Sequence, residues 1–146
     1  RYMGTWYEIA RFDHRFERGL SEVTATYTLM PDGTVRVENR GCKHKKPYDV
    51  CKTAEGRAKI PDPSQPGKLK VSFFLSFYSD YYVLELDQDE YNYALIGSSS
   101  DKYLWILSRA PILPEEIKKK LLDAATRRGY DVKKLIWVEQ REKKIM

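Results

Sequence analysis

Between residues 5 and 109, apolar and polar side chains alternate in short runs, each closed off by a cluster of turn-forming residues. Alternation with period two marks a strand that buries one face, and regular turn spacing predicts an antiparallel meander. Eight runs qualify, at residues 5–12, 22–30, 34–41, 52–60, 68–74, 81–87, 91–97 and 103–109. Pro31-Asp32-Gly33 separates the second from the third, and the three prolines within 61–67 end the fourth. Trp6 lies at the start of the first run and Arg109 at the end of the last, and the two meet only if the sheet closes on itself. The expected fold is therefore all-β: an eight-stranded antiparallel up-and-down barrel, with an interior that holds packed side chains or one small ligand.

The same alternation assigns faces. Ala25, Tyr27 and Leu29 share one face of the second run, with Thr24, Thr26 and Thr28 on the other. Val35 and Val37 point inward opposite Arg36 and Glu38, while Ala54, Gly56 and Ala58 oppose Glu55, Arg57 and Lys59. Leu69, Val71 and Phe73 are expected inside. Taking Glu85 as outward places Tyr82, Leu84 and Leu86 inside as well. The last run is apolar on both faces, with Tyr103, Trp105 and Leu107 on one and Leu104 and Ile106 on the other, so something must cover its outside. A helix over about 114–128 supplies the cover: Pro114 opens it, Glu115 and Glu116 fill its first turn, and Arg127-Arg128-Gly129 ends it. Ile117, Leu121, Ala124 and Ala125 form its apolar stripe. A short ninth strand over about 135–139 follows, and the 146 residues read as one domain over 1–146 with the barrel at about 4–109.

Small inward residues face large aromatic ones across this interior. That pattern fits a filled core of complementary sizes or an elongated cavity. The hydroxyls of Tyr27, Tyr82 and Tyr103 and the amide of Asn39 need partners, which favours the cavity. The candidate binding wall comprises Ala25, Tyr27, Val37, Asn39, Ala54, Val71, Phe73, Tyr82, Leu84, Ala94, Ile96, Tyr103 and Trp105. A long alkyl chain suits such a slot: about sixteen methylenes bury roughly 12 kcal/mol gross, against an association cost on the order of 4–15 kcal/mol.

Alternate loops of an up-and-down barrel share one end. Arg15, Lys43, Lys45, Lys46 and Tyr78 would therefore gather at a mouth able to hold an anionic head group or touch an anionic membrane surface. The lysines read equally as a solvated hairpin tip. At the opposite end the Arg109 plane over the Trp6 indole forms a structural floor plug.

Charge and composition narrow the classes. Lys and Arg exceed Asp and Glu by 26 − 21 = +5, which eases contact with anions without naming one. Aromatics are expected inside and charges outside, the reverse of a nucleic-acid face, so no nucleic-acid partner is expected. Two histidines give little support for a metal or haem site, and no cofactor is expected. No nucleophile–base pair is legible, and the 97–100 turn leads into no helix, so the protein is read as non-catalytic. No apolar run approaches a membrane span. Cys42 and Cys51, the only cysteines, are either two free thiols or a disulfide across a hairpin, worth about 2.5–3 kcal/mol by loop closure. A disulfide would favour an oxidising compartment.

Three stretches carry a family resemblance. Gly4-Thr5-Trp6-Tyr7-Glu8 resembles the first motif of the lipocalins, residues 86–95 the second and Leu107-Ser108-Arg109 the third. Residues 6–12, 16–20, 23–27, 69–74 and 103–109 are similar more narrowly to bacterial, apolipoprotein D-like, outer-membrane lipocalins. The cysteine pair and the lysines between them depart from that group. The resemblance implies a carrier or store of a fatty acid or lysophospholipid, periplasmic or outer-membrane-associated. It further implies an N-terminal lipid anchor and leader lying outside this sequence, and a monomer or weak dimer. The competing implication is a lipocalin-type enzyme acting on a lipid or isoprenoid.

Overall fold

The computed structural model describes residues 2–12, 20–43, 50–74, 77–99, 102–138 and 140, with the side chains of 73, 74 and 77–79 outside the description. Eight antiparallel strands run in sequence order: β1 (Gly4–Phe12), β2 (Ser21–Leu29), β3 (Val35–Lys43), β4 (Val50–Lys59), β5 (Lys68–Phe74), β6 (Phe77–Leu86), β7 (Tyr93–Gly97) and β8 (Leu104–Ser108). Each pairs with the next, and β1 pairs with both β2 and β8, which closes the barrel. The helix α1 (Glu115–Arg127) and the short β9 (Leu135–Trp137) follow. Pro114 caps α1 rather than opening its first turn.

Closure makes β1 serve three partners. Its residues 4–7 pair with β2 and residues 7–11 with β8, while Ala10, Arg11 and Phe12 pair with β9. Strand β9 thus takes the edge that β2 leaves. At the fork, the Gln140 side-chain amide donates to Glu8 O (2.7 Å) and Val23 O (2.8 Å), giving partners to two carbonyls that the parting strands release.

Two bulges shift the alternation. On β1 the register slips between Glu8 and Ala10, so Ile9 and Ala10 both face out while Glu8 and Arg11 face in, opposite Leu107 and Trp105. On β6 it slips between Val83 and Glu85. Tyr81 and Val83 therefore point inward with Leu86, and the expected inward placement of Tyr82 and Leu84 is overturned. Leu84 packs against α1, and Tyr82 lies on the outer surface beside Lys68, whose Nζ is 5.6 Å from its ring. Leu29, expected inside, is 64% exposed at the end of β2.

Two apolar cores result, one on each side of the barrel wall. The outer joins Ile9, Phe12, Leu95, Leu104 and Ile106 to Leu121, Ala124 and Ala125 of α1. The inner contains Trp6, Ala25, Tyr27, Val35, Val37, Ala58, Ala94, Ile96 and Leu107. Arg128, just past α1, donates to Leu84 O at 2.8 Å and to the Glu85 carboxylate at 3.0 Å, fastening the helix end to the β6 bulge.

The outer core leaves no room at Gly97, where an added Cβ would collide with the Tyr130 hydroxyl and lie 2.8 Å from Leu84 Cδ1. Gly97→Ala should therefore destabilise the fold by about 1–3 kcal/mol through forced repacking. Thermal unfolding of the variant should begin several degrees lower, and an unchanged midpoint would show that Tyr130 moves aside freely.

Candidate functional site

The barrel interior is the candidate site, and Trp6 and Arg109 form its floor. Trp6 is fully buried, and the Arg109 guanidinium lies 3.9 Å from its ring centroid. Arg109 Nη1 donates to Thr5 O (3.0 Å) and Nη2 to Met3 O (2.8 Å), while Trp6 Nε1 donates to Tyr2 O (2.7 Å). Gly4 is part of this fit: its φ is +104°, and a Cβ there would lie 3.2 Å from Arg109 Nη1. Stacking over the indole and three carbonyl acceptors, Tyr91 O being the third, hold the guanidinium in place at the end of β8.

Above the floor lies a trio of phenols. Tyr81 shares hydrogen bonds with Tyr2 and, at 2.8 Å, with Tyr27. The Tyr2 ring stands 4.9 Å from Trp6 and 5.5 Å from Tyr27, so the trio rests directly on the plug. Burial pushes the Tyr2 and Tyr81 phenols well above their ordinary value; Tyr27 adds to both shifts and Tyr2 to that of Tyr81, while the Tyr81 hydrogen bond and Arg109 partly offset that of Tyr2.

Toward the mouth the wall changes character. Arg11 and Glu8 are buried and form an ion pair at 3.3 Å, and Arg11 Nη2 also donates to Leu20 O. Tyr103 stacks on Trp105 with ring centroids 5.8 Å apart and planes within 9°. Cys42 and Cys51 face each other across β3 and β4 and form a disulfide, which ties the hairpin that leads to the mouth.

Of the residues expected to line the cavity, Ala25, Tyr27, Val37, Val71, Ala94, Ile96 and Trp105 belong to the inner core. Asn39 lies across from Ala25 and Ala54 on that same face, half-buried, whereas Ala54 is exposed. Tyr103 joins them through Trp105. Tyr82 and Leu84 are outside, for the reason given above. The Phe73 side chain falls outside the described residues, as do Arg15, Lys45, Lys46 and the side chain of Tyr78. Lys43 is half-buried, opposite Val50. Among the described residues no group of His, Cys, Asp and Glu could hold a metal ion.

Tyr2, Glu8, Arg11 and Tyr81 lie inside without being among the residues that the alternation assigns to the wall. Tyr81 sits five residues into β6, which begins at Phe77. For Glu8 and Arg11 the available signal was two charged residues in a strand flanked by Trp6, Ile9 and Phe12.

A lipocalin-like domain model matches residues 1–140. The chain is 51% identical over 140 residues to the outer membrane lipoprotein Blc of Escherichia coli (strain K12), covering 96% of this chain and 77% of that one. It is 35% identical over 148 residues to apolipoprotein D of Mus musculus, covering 96% and 75%. In three dimensions it resembles insecticyanin of the tobacco hornworm Manduca sexta, with a TM-score of 0.72 at 23% identity over 97% of this chain and 79% of that one.

The site's geometry makes two predictions. Because the folded state holds the Tyr2 and Tyr81 protons more tightly than the unfolded chain, their contribution is intact below pH ~10 and is lost as pH rises above it. Absorbance titration should show two late phenols that ionise only as near-ultraviolet dichroism collapses. Ionisation of every tyrosine around pH 10 in folded protein would contradict the trio's burial. Replacing both cysteines by serine should lower stability by about 2.5–3 kcal/mol, read from denaturant midpoints of oxidised wild type and variant.

Proposed function

The chain belongs to the lipocalin family, and on that premise we propose that its barrel binds and carries a single-chain lipid, a fatty acid or lysophospholipid, without chemical change. The observation that carries this reading lies on the inner wall. Leu69, Val71, Tyr81, Val83 and Trp105 pack inward on the inner core, yet each is only half-buried. In a barrel filled by its own side chains, inward positions at mid-strand would be buried like Val37 and Ile96. Their residual surface, beside Ala25, Ala58 and Ala94, supports an open slot walled by apolar groups.

A linear chain entering tail-first would bury its methylenes at about 0.8 kcal/mol each. Its anionic head would stay at the mouth, near Lys43 and the expected basic residues Arg15, Lys45 and Lys46. The buried Glu8–Arg11 pair is internally neutralised, which suits a wall that an alkyl chain passes. The reading as a carrier rather than an enzyme is supported by the site chemistry: the inner side chains among the described residues are apolar groups, phenols, the Asn39 amide, the Glu8–Arg11 ion pair and, at the floor, Arg109. The disulfide and the likeness to an outer membrane lipoprotein support an extracytoplasmic setting, periplasmic or at the outer membrane.

Native mass spectrometry before and after organic extraction should reveal co-purified acyl chains. In titrations with a fluorescent fatty-acid probe, Tyr103→Glu should abolish uptake by placing a carboxylate against Trp105, while circular dichroism stays that of a barrel. Equal probe affinity in that variant would exclude the Tyr103–Trp105 face from the path, and absence of any probe binding by the wild type would exclude lipid carriage.

A further inference from the structure

A cleft of about 170 Å³ opens on the outer surface of the barrel, between the 61–67 loop and the β5–β6 pair. Pro61 and the Tyr82 ring form its walls, Gln65 its polar edge, and Lys68, Lys70, Asp62 and Asp80 bring its charges. Tyr82 reaches this surface through the β6 bulge and lies beside Lys68. The loop wall is fixed. Asp62 accepts from Ser64 N (3.0 Å), Ser64 Oγ (2.7 Å) and Gln65 Nε2 (3.0 Å), and Lys68 N donates to Gln65 O (3.1 Å). Val83 N donates to Gly67 O at 2.8 Å, which holds the end of the loop against β6. The cleft thus has its shape before any guest arrives, which lowers the ordering cost of binding.

Donors outnumber acceptors in this cleft. Both carboxylates are engaged, Asp62 within its loop and Asp80 with the Lys70 ammonium, and those partners hold both acids below the ordinary carboxylate range. Lys68, in contrast, makes no ion pair among the described residues. Its Nζ stands 5.6 Å from the Tyr82 ring centroid and reaches Asp62 only through the longer-range field. The N–H donors of Lys68, those of Lys70 that Asp80 does not use and one from the Gln65 amide remain for an acceptor-rich guest.

A cavity of about 150 Å³ accommodates one six-membered ring, so the cleft is the size of a single ring. Pro61 and Tyr82 suit an apolar ring face, and the Gln65 amide can donate to and accept from hydroxyls at the ring edge. The two ammoniums suit an anionic substituent. The geometry points to a second binding site on this protein, outside the barrel, for a phosphorylated monosaccharide. A fatty acid lacks the hydroxyl edge that Gln65 meets, and inorganic phosphate lacks the face that packs on Tyr82. The site is independent of lipid carriage. Because its ammoniums are partly exposed, salt screens their attraction and the affinity is modest, about 1 mM.

The test is a nuclear magnetic resonance titration of the intact oxidised protein with three probes, following the backbone amides of Gln65, Lys68 and Tyr82. The probes are glucose phosphorylated at its primary hydroxyl, glucose itself and inorganic phosphate. The sugar phosphate should bind about ten-fold more tightly than either of the others at low salt. Lys68→Met and Tyr82→Ala, both on the outer surface, should each weaken it by about five-fold or more while the spectrum stays that of the folded barrel. Phosphate binding as tightly as the sugar phosphate would show an adventitious ion only, and equal binding of glucose would remove the lysines from the site; either overturns the proposal. So do shifts that miss these amides, the absence of any shift, or an affinity that survives both substitutions. The wild-type order of the three probes decides the matter even where a variant folds poorly.

Discussion

Strand β1 is the constraint on which the rest depends. A sheet closes only if its first and last strands meet, and here the first must also keep its bond to the second. Unlike β3, which holds both neighbours along nearly all of its nine residues, β1 must serve a third partner as well. The structure divides the strand: β8 takes one edge, while β2 and then β9 take the other. The Glu8–Ala10 bulge follows from that division, because the extra residue lets the far half of β1 turn toward β9. It also turns Glu8 and Arg11 inward, and the two neutralise each other there. A lone charge at either position would cost several kcal/mol, so the pair belongs to the architecture of closure before it belongs to any binding event.

Besides Asn39, the polar side chains described inside the barrel form two tiers. The ion pair lies nearer the mouth and is spent on its own neighbours. The phenols lie at the floor, where Tyr2 arrives from the segment before β1 and Tyr81 from β6. Beneath them Arg109 clasps the carbonyls of Met3 and Thr5, so the same contact that seals the end fixes the segment carrying Tyr2. Floor and trio are therefore one assembly, reached through residues remote in sequence.

Much of this was legible because it is periodic. The eight runs, the helix that covers β8 and the meeting of Trp6 with Arg109 all follow from period-two and helical patterns that span many residues. What escaped is local and aperiodic. Extrapolating outward from Glu85 misplaced Tyr82 and Leu84, since a bulge at Val83–Glu85 inserts one residue that no turn-former announces. Tyr81 opens its run by alternation, whereas β6 begins four residues earlier, within a stretch of Phe, Ser and Tyr that is ambiguous between strand and loop. Tyr2 precedes the first strand altogether, and its place is set by tertiary contacts with Trp6 and Tyr27.

Strand β8 shows how a wall one strand thick can divide two duties. Leu104 and Ile106 are committed to the cohesion of helix and barrel, while their neighbours Trp105 and Leu107 look into the hollow. Adhesion to α1 thus leaves the facing side of the same strand at liberty. Lineages of such a chain can exchange one passenger for another by altering alternate residues, and the scaffold that carries them need not be rebuilt.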